Sequence, residues 1–103
     1  MAEPIFDSIV TGTAAVGASF TPSTLPSGYV DGDLIVFLVG QDGGTGTLSI
    51  ATAGWSIHGT RTGTPAGGAF GSWFSTVVSG GTFNTPTFNS TVSDDYAYIG
   101  FIV

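Results

Sequence analysis

Cysteine and lysine are absent from this chain, which has a single arginine, Arg61, and a single histidine, His58. Without cysteine there is no disulfide and no thiolate metal site, and the redox compartment is left unread. Nucleic-acid binding rests on Lys and Arg neutralising phosphates, which one arginine does not supply, so DNA and RNA partners are not expected. The formal net charge of −6 would be repelled by an anionic membrane surface. Charged residues make up only 8% of the chain, against about 25% in average proteins. The longest run of large apolar residues, Leu34 to Val39, is six residues long, far below the roughly 20 that cross a bilayer as a helix. No window repeats apolar residues at the helical period between caps, so no helix is expected. Met1-Ala2-Glu3-Pro4 offers neither a basic nor a long apolar leader segment, so a product that stays where it is made, or leaves by lysis, is expected.

What is present is glycine, 17 residues of 103, together with many serines and threonines. A surface built from hydroxyls, glycine and exposed apolar atoms favours association with other chains. The length fits a single domain over 1–103, with residues 1–10 as an arm used in assembly. Asp31-Gly32-Asp33-Leu34-Ile35-Val36-Phe37-Leu38-Val39-Gly40 reads as a strand buried on both faces, bounded by turn formers. Around it, Pro4 to Val10 and Ala14 to Phe20 read as two strands separated by a turn at Thr11-Gly12-Thr13. Pro22 and Pro26 mark an ordered loop. Thr47 to Ile50 and Ala53 to His58 are short strands, and Gly59 to Gly68 is a polar tip. Ala69 to Val78 is a long strand with Phe70, Ser72, Phe74 and Thr76 on one face, Trp73 and Val77 on the other. Ser79-Gly80-Gly81-Thr82 is a turn, Thr85 to Ser90 an edge-type strand, and Ser93-Asp94-Asp95 turns into a covered final strand, Tyr96 to Val103. About eight short strands punctuated by turns predict an all-β fold, a single antiparallel β-sandwich of jelly-roll type.

Candidate chemistry is sparse. His58 would need a nucleophile and an orienting acid to act as a base. No Gly-x-Ser-x-Gly elbow is present, so a structural strand-end role is the preferred reading. Asp31 and Asp33, with Asp42 or Asp94-Asp95, are oxygen ligands of the kind Ca²⁺ takes, but Asp-Gly and Asp-Asp also form turns by bonding their own backbone, and turn chemistry is preferred. Gly40 to Gly46 lacks a following Lys-Ser/Thr and is a connection, not a phosphate loop. Trp55, Trp73, Tyr96 and Tyr98 are either a sugar-stacking platform or core and interface anchors, and the second is favoured. Asn89-Ser90-Thr91 matches a glycosylation sequon by chance. Thr82-Phe83-Asn84-Thr85 is echoed by Thr87-Phe88-Asn89-Ser90, either an arm presenting Phe83 and Phe88 to a neighbour or a coincidence. No catalytic, cofactor or metal residues are assigned, and the chain is not expected to be an enzyme.

Three motifs stand in one order: Leu25-Pro26-Ser27-Gly28 through Gly32-Asp33-Leu34-Ile35-Val36, then Ala53-Gly54-Trp55-Ser56, then Ser72-Trp73-Phe74 with a closing Ala97-Tyr98-Ile99-Gly100. Over about Ser19 to Val103 the chain resembles a β-sandwich domain of tailed-bacteriophage structural proteins, whose members carry a Gly-Asp-Leu-Leu-Leu-Val strand and an Ala-Gly-Trp turn. It departs from them in ending directly on the last strand and in lacking basic residues in the aromatic strand. The resemblance implies a capsid decoration (cement) protein, made in the host cytoplasm and bound to the outside of the virion. Its partners would be the major capsid protein and further copies of itself, as a homotrimer. Ile5, Phe6, Ile9, Phe83, Phe88, Tyr96 and Tyr98 would lie at the interfaces, and the acidic surface would suit a basic patch on the shell. The alternative is a carbohydrate- or receptor-binding module of a tail fibre or spike.

Overall fold

A computed structural model describes residues 8–41, 47–59 and 70–103. Six strands run through them: β1 Ile9–Phe20, β2 Leu34–Gln41, β3 Leu48–Ile50, β4 Ser56–His58, β5 Phe70–Val77 and β6 Phe88–Ile102. All pairings are antiparallel, and the described residues contain no helix. Two strands, β1 and β6, are long enough to serve both layers of a sandwich. Residues 9–14 of β1 pair with 96–101 of β6, whereas Ser19 and Phe20 pair with Asn89 and Phe88. Register breaks on either side of Gly17 carry this pair around the corner, as extra residues in a ladder bend and twist a strand.

Counting the halves of β1 and β6 separately gives eight segments in two packed layers of five and three strands. In chain order, the first layer runs 1-8-3-6-5 and the second 2-7-4. Segments 1 and 8, 2 and 7, and 3 and 6 therefore pair, the rolled-up hairpin of a jelly-roll-like sandwich. The fifth segment, β4, departs by joining the edge of β5.

The core lies between the layers. Ile35, Phe37 and Val39 of β2, Phe74 of β5 and Ile102 of β6 are at most 1% exposed. They face Phe20, Leu48 and Phe88 from the smaller layer. Phe88 sits at the centre, its ring centroid 4.8 Å from Phe74, 5.3 Å from Phe20 and 5.7 Å from Phe37. The alternation in β5 falls as expected: Ser72, Phe74 and Thr76 are buried, Trp73 and Val77 exposed. At Ser79–Thr82 the chain turns in two residues, Gly80 and Gly81, both at positive φ, the conformation that a tight hairpin demands and glycine supplies.

Several expectations are corrected. Thr11-Gly12-Thr13 is not a turn but the interior of a continuous β1. Gly12 is small because the Tyr98 ring lies across it. Ser93-Asp94-Asp95 likewise lies within β6. β2 is not buried on both faces: Leu38 is 41% exposed. Phe88, Tyr96 and Tyr98 are buried at 0%, 3% and 3%, because strand alternation and register aim them inward with Val39 and Phe37. They belong to the subunit's own core rather than to an interface. Phe83 is half-buried, edge-on to Tyr29 and Trp55 at 5.0 and 6.2 Å, so it closes one end of the sandwich instead of projecting as an arm. Ile5, Phe6, Asp42, Arg61 and most of the assembly arm and polar tip lie outside the described residues.

Candidate docking face

The side of the larger layer that faces away from the core is built by register. Thr11 of β1 pairs with Ile99 of β6, Ile99 with Leu38 of β2, Leu38 with Trp73 of β5, and Trp73 with His58 of β4. One residue from each of five strands thus forms a row across the whole layer. Its three central members, Ile99, Leu38 and Trp73, are 42%, 41% and 40% exposed. Beside the row, the next register positions are Ala97, Gly40 and Gly71. A ridge of large apolar side chains therefore borders a floor with almost no side chain, and between them runs an open groove of about 440 Å³. Gly71 is required there: a Cβ would stand 2.8 Å from the Val39 carbonyl oxygen. Gly40 is not so constrained, since the nearest atom to a built Cβ is the Ala97 carbonyl oxygen at 3.8 Å.

The face continues on the other side of the row through Val36, Phe101 and Ile9, of which Ile9 is exposed. Among the described residues, the strand pattern puts no charged residue on this face except Asp95, at the corner where β6 changes layer. Asp31 and Asp33 sit before β2 and bond backbone: Asp31 Oδ1 accepts the Gly81 N–H at 2.6 Å, and Asp33 Oδ2 accepts the Val30 N–H at 2.9 Å. The Asp33 bond is local and turn-forming, whereas the Asp31 bond ties this loop to the distant Gly80-Gly81 hairpin. Among the described residues no group of three or more His, Cys, Asp or Glu is placed to hold a metal ion.

His58 ends the row. Its ring stacks on Trp73 with centroids 4.0 Å apart and planes 20° apart, and its Nε2 shares a hydrogen bond of 2.8 Å with Ser75 Oγ. This brings a hydroxyl to an imidazole, the first two members of a nucleophile–base–acid arrangement. No described carboxylate bonds the other ring nitrogen, and Ser75 is 8% exposed. The stack and the hydrogen bond fix the orientation of Trp73 at the groove wall.

The aromatic quartet considered from sequence does not form a platform. Tyr96 and Tyr98 are in the core, and Trp55 is half-buried, its Nε1 donating to the Asn84 carbonyl at 2.8 Å. Trp73 alone of the four is on the outer face. The row itself was not legible beforehand, because Ile99, Leu38 and Trp73 come from three distant strands. Only the register aligns the small residues Ala97, Gly40 and Gly71 beside them. No helix among the described residues is long and apolar enough to cross a membrane. No family model, curated protein or solved structure matches the chain.

Proposed function

We propose that the chain is a non-catalytic structural subunit of a virion, a decoration protein on the outside of a capsid whose larger layer buries its outer face against protein in the assembly. The observation that carries this reading is the apolar, nearly uncharged row Ile99–Leu38–Trp73 in a chain of net charge −6. Contiguous exposed apolar surface on a soluble domain marks an interaction site, and an aromatic anchor beside a groove is the usual centre of a protein interface. The resemblance of the motif order to that of phage β-sandwich domains is what suggests the virion setting. The acid-bearing loop around Asp31 and Asp33 suits a basic patch on the shell, where complementary charge steers encounter.

The tail-fibre reading is weaker on the same geometry. Sugar recognition needs polar groups beside the stacking ring to fix orientation, whereas the groove beside Trp73 is lined by Leu38, Gly40, Gly71, Ala97 and Ile99, its two hydroxyl-bearing residues, Ser72 and Tyr98, are buried, and His58 stacks on the Trp73 ring.

Co-sedimentation with capsid shells assembled from the major capsid protein of the same virus tests the proposal. Saturable binding is expected. A folded chain that stays in the supernatant at every concentration overturns it. A Trp73 fluorescence change on titration with host polysaccharide, lost in Trp73→Phe, would instead support the fibre reading.

A further inference from the structure

We infer that the outer face of the larger layer is covered by the same face of a second copy, related by a two-fold axis. This names the occupant of the surface on which the proposed function rests. Three observations point to a copy of this chain and not to a different partner.

The first is charge. Two molecules of net charge −6 repel one another, and the repulsion is least when surfaces without ionised groups meet and the carboxylates are held apart. The outer face comes close to such a surface, its one described carboxylate, Asp95, lying at the corner where β6 changes layer. A basic partner would be drawn to the loop of Asp31 and Asp33, not to the row of Ile99, Leu38 and Trp73. The second is shape. A two-fold contact is isologous: a feature on one copy must fit a feature elsewhere on the same patch of the other. Here the ridge and the groove lie side by side on one face, so the ridge of each copy enters the groove of the other as the two sheets stack. The third is area. Five strands spaced about 4.8 Å apart, from 3 residues in β4 to 8 in β2 and β5 and averaging about six at roughly 3.3 Å, present roughly 500 Å² per copy. That is about 1,000 Å² for the pair, the lower bound for a specific interface. β2 is the middle strand of the five, so Leu38 lies near the centre of the face and near the axis.

Sedimentation velocity over a range of concentrations, with two variants of the face and a pair of cysteine variants, tests this. Wild type is expected to reach twice the 10.4 kDa chain mass, with association strengthened by added salt as the charge repulsion is screened. Leu38→Glu is expected to remain monomeric. Gly40→Val, which fills the groove without adding charge and has room for its Cβ, is expected to be monomeric too. Both should keep the wild-type circular dichroism and melting cooperativity, since neither position is in the core. Because the chain has no cysteine, Leu38→Cys is expected to be joined into a covalent dimer by a bis-maleimide long enough to cross the roughly 10 Å between stacked sheets, while Val30→Cys, exposed on the loop before β2, stays monomeric. A wild-type monomer at all concentrations, a trimer, or a dimer that survives both Leu38→Glu and Gly40→Val overturns the inference. Shell binding by a monomer would overturn this inference alone. A dimer that ignores shells would overturn the proposed function alone.

Discussion

Phe37 and Gly100 are register partners on the two central strands, and the Phe37 ring lies directly over the Gly100 Cα: a Cβ built there would stand 2.6 Å from two ring carbons. Gly100 belongs to β6, which is held between β1 and β2, so the backbone cannot retreat. The ring cannot turn away either, because Trp55, Phe88 and Tyr98 surround it at centroid distances of 6.0, 5.7 and 5.9 Å. Gly100→Ala is therefore expected to destabilise the domain by overpacking, by about 1–3 kcal/mol. Equilibrium urea unfolding should show a lower midpoint with an unchanged slope.

Phe88 joins the two layers. Its ring touches Phe20, Phe37 and Phe74, which come from three different strands. Phe88→Ala should leave a cavity between the layers and cost about 3–5 kcal/mol, a large share of a typical domain stability of about 5–15 kcal/mol. Phe83→Ala, at the half-buried end of the sandwich, should cost clearly less. Urea midpoints of the two variants, measured side by side, check the ranking.

The hairpin after β5 is tied to the loop before β2. Gly80 and Gly81 have φ of 66° and 79°, and the Gly81 N–H donates to the Asp31 carboxylate. Alanine at either glycine is expected to cost about 1–2 kcal/mol, the penalty for an L side chain in the left-handed region. Asp31→Ala should lose about 1 kcal/mol through the broken hydrogen bond, and Asp31→Asn, which keeps an acceptor oxygen, should recover part of it. Thermal melts of the four variants read these differences.

His58 and Trp73 form a spectroscopic pair. Their rings stack with centroids 4.0 Å apart, so the imidazole shields one face of an indole that is 40% exposed. His58→Ala should uncover that face, and Trp73 emission is expected to shift to longer wavelength and to be quenched more readily by acrylamide. His58→Phe, which keeps a ring on the stack, should stay close to wild type. Trp55, whose Nε1 donates to the Asn84 carbonyl, serves as the constant background.

Much of the fold was legible because period-2 alternation is a local signal. The inward Phe74 and outward Trp73 of β5, the glycine turn at 80–81 and the central Leu34–Val39 segment all follow from it. What misled was local turn chemistry set against long-range pairing. Thr11-Gly12-Thr13 and Ser93-Asp94-Asp95 carry turn residues, yet both are strand interior: Gly12 is there to admit the Tyr98 ring, and the acidic segment rounds the corner between layers. Tyr96 and Tyr98 read equally well as inward or outward until the register paired them with Gln41 and Val39 on the core face of β2. An apolar run such as Leu34–Val39 also does not say whether its second face is covered within the subunit. That open second face is the candidate site, and it became visible only with the neighbouring strands in place.

The central claim is that the row Ile99–Leu38–Trp73 is covered by protein when the chain is in its working assembly. Hydroxyl-radical footprinting of the shell-bound chain tests it most directly. The account predicts that Trp73 and Leu38 are protected there relative to the monomeric Gly40→Val chain, while Val30, 64% exposed, is labelled equally in both states. Equal labelling of Trp73 in the shell-bound and monomeric chains would contradict it.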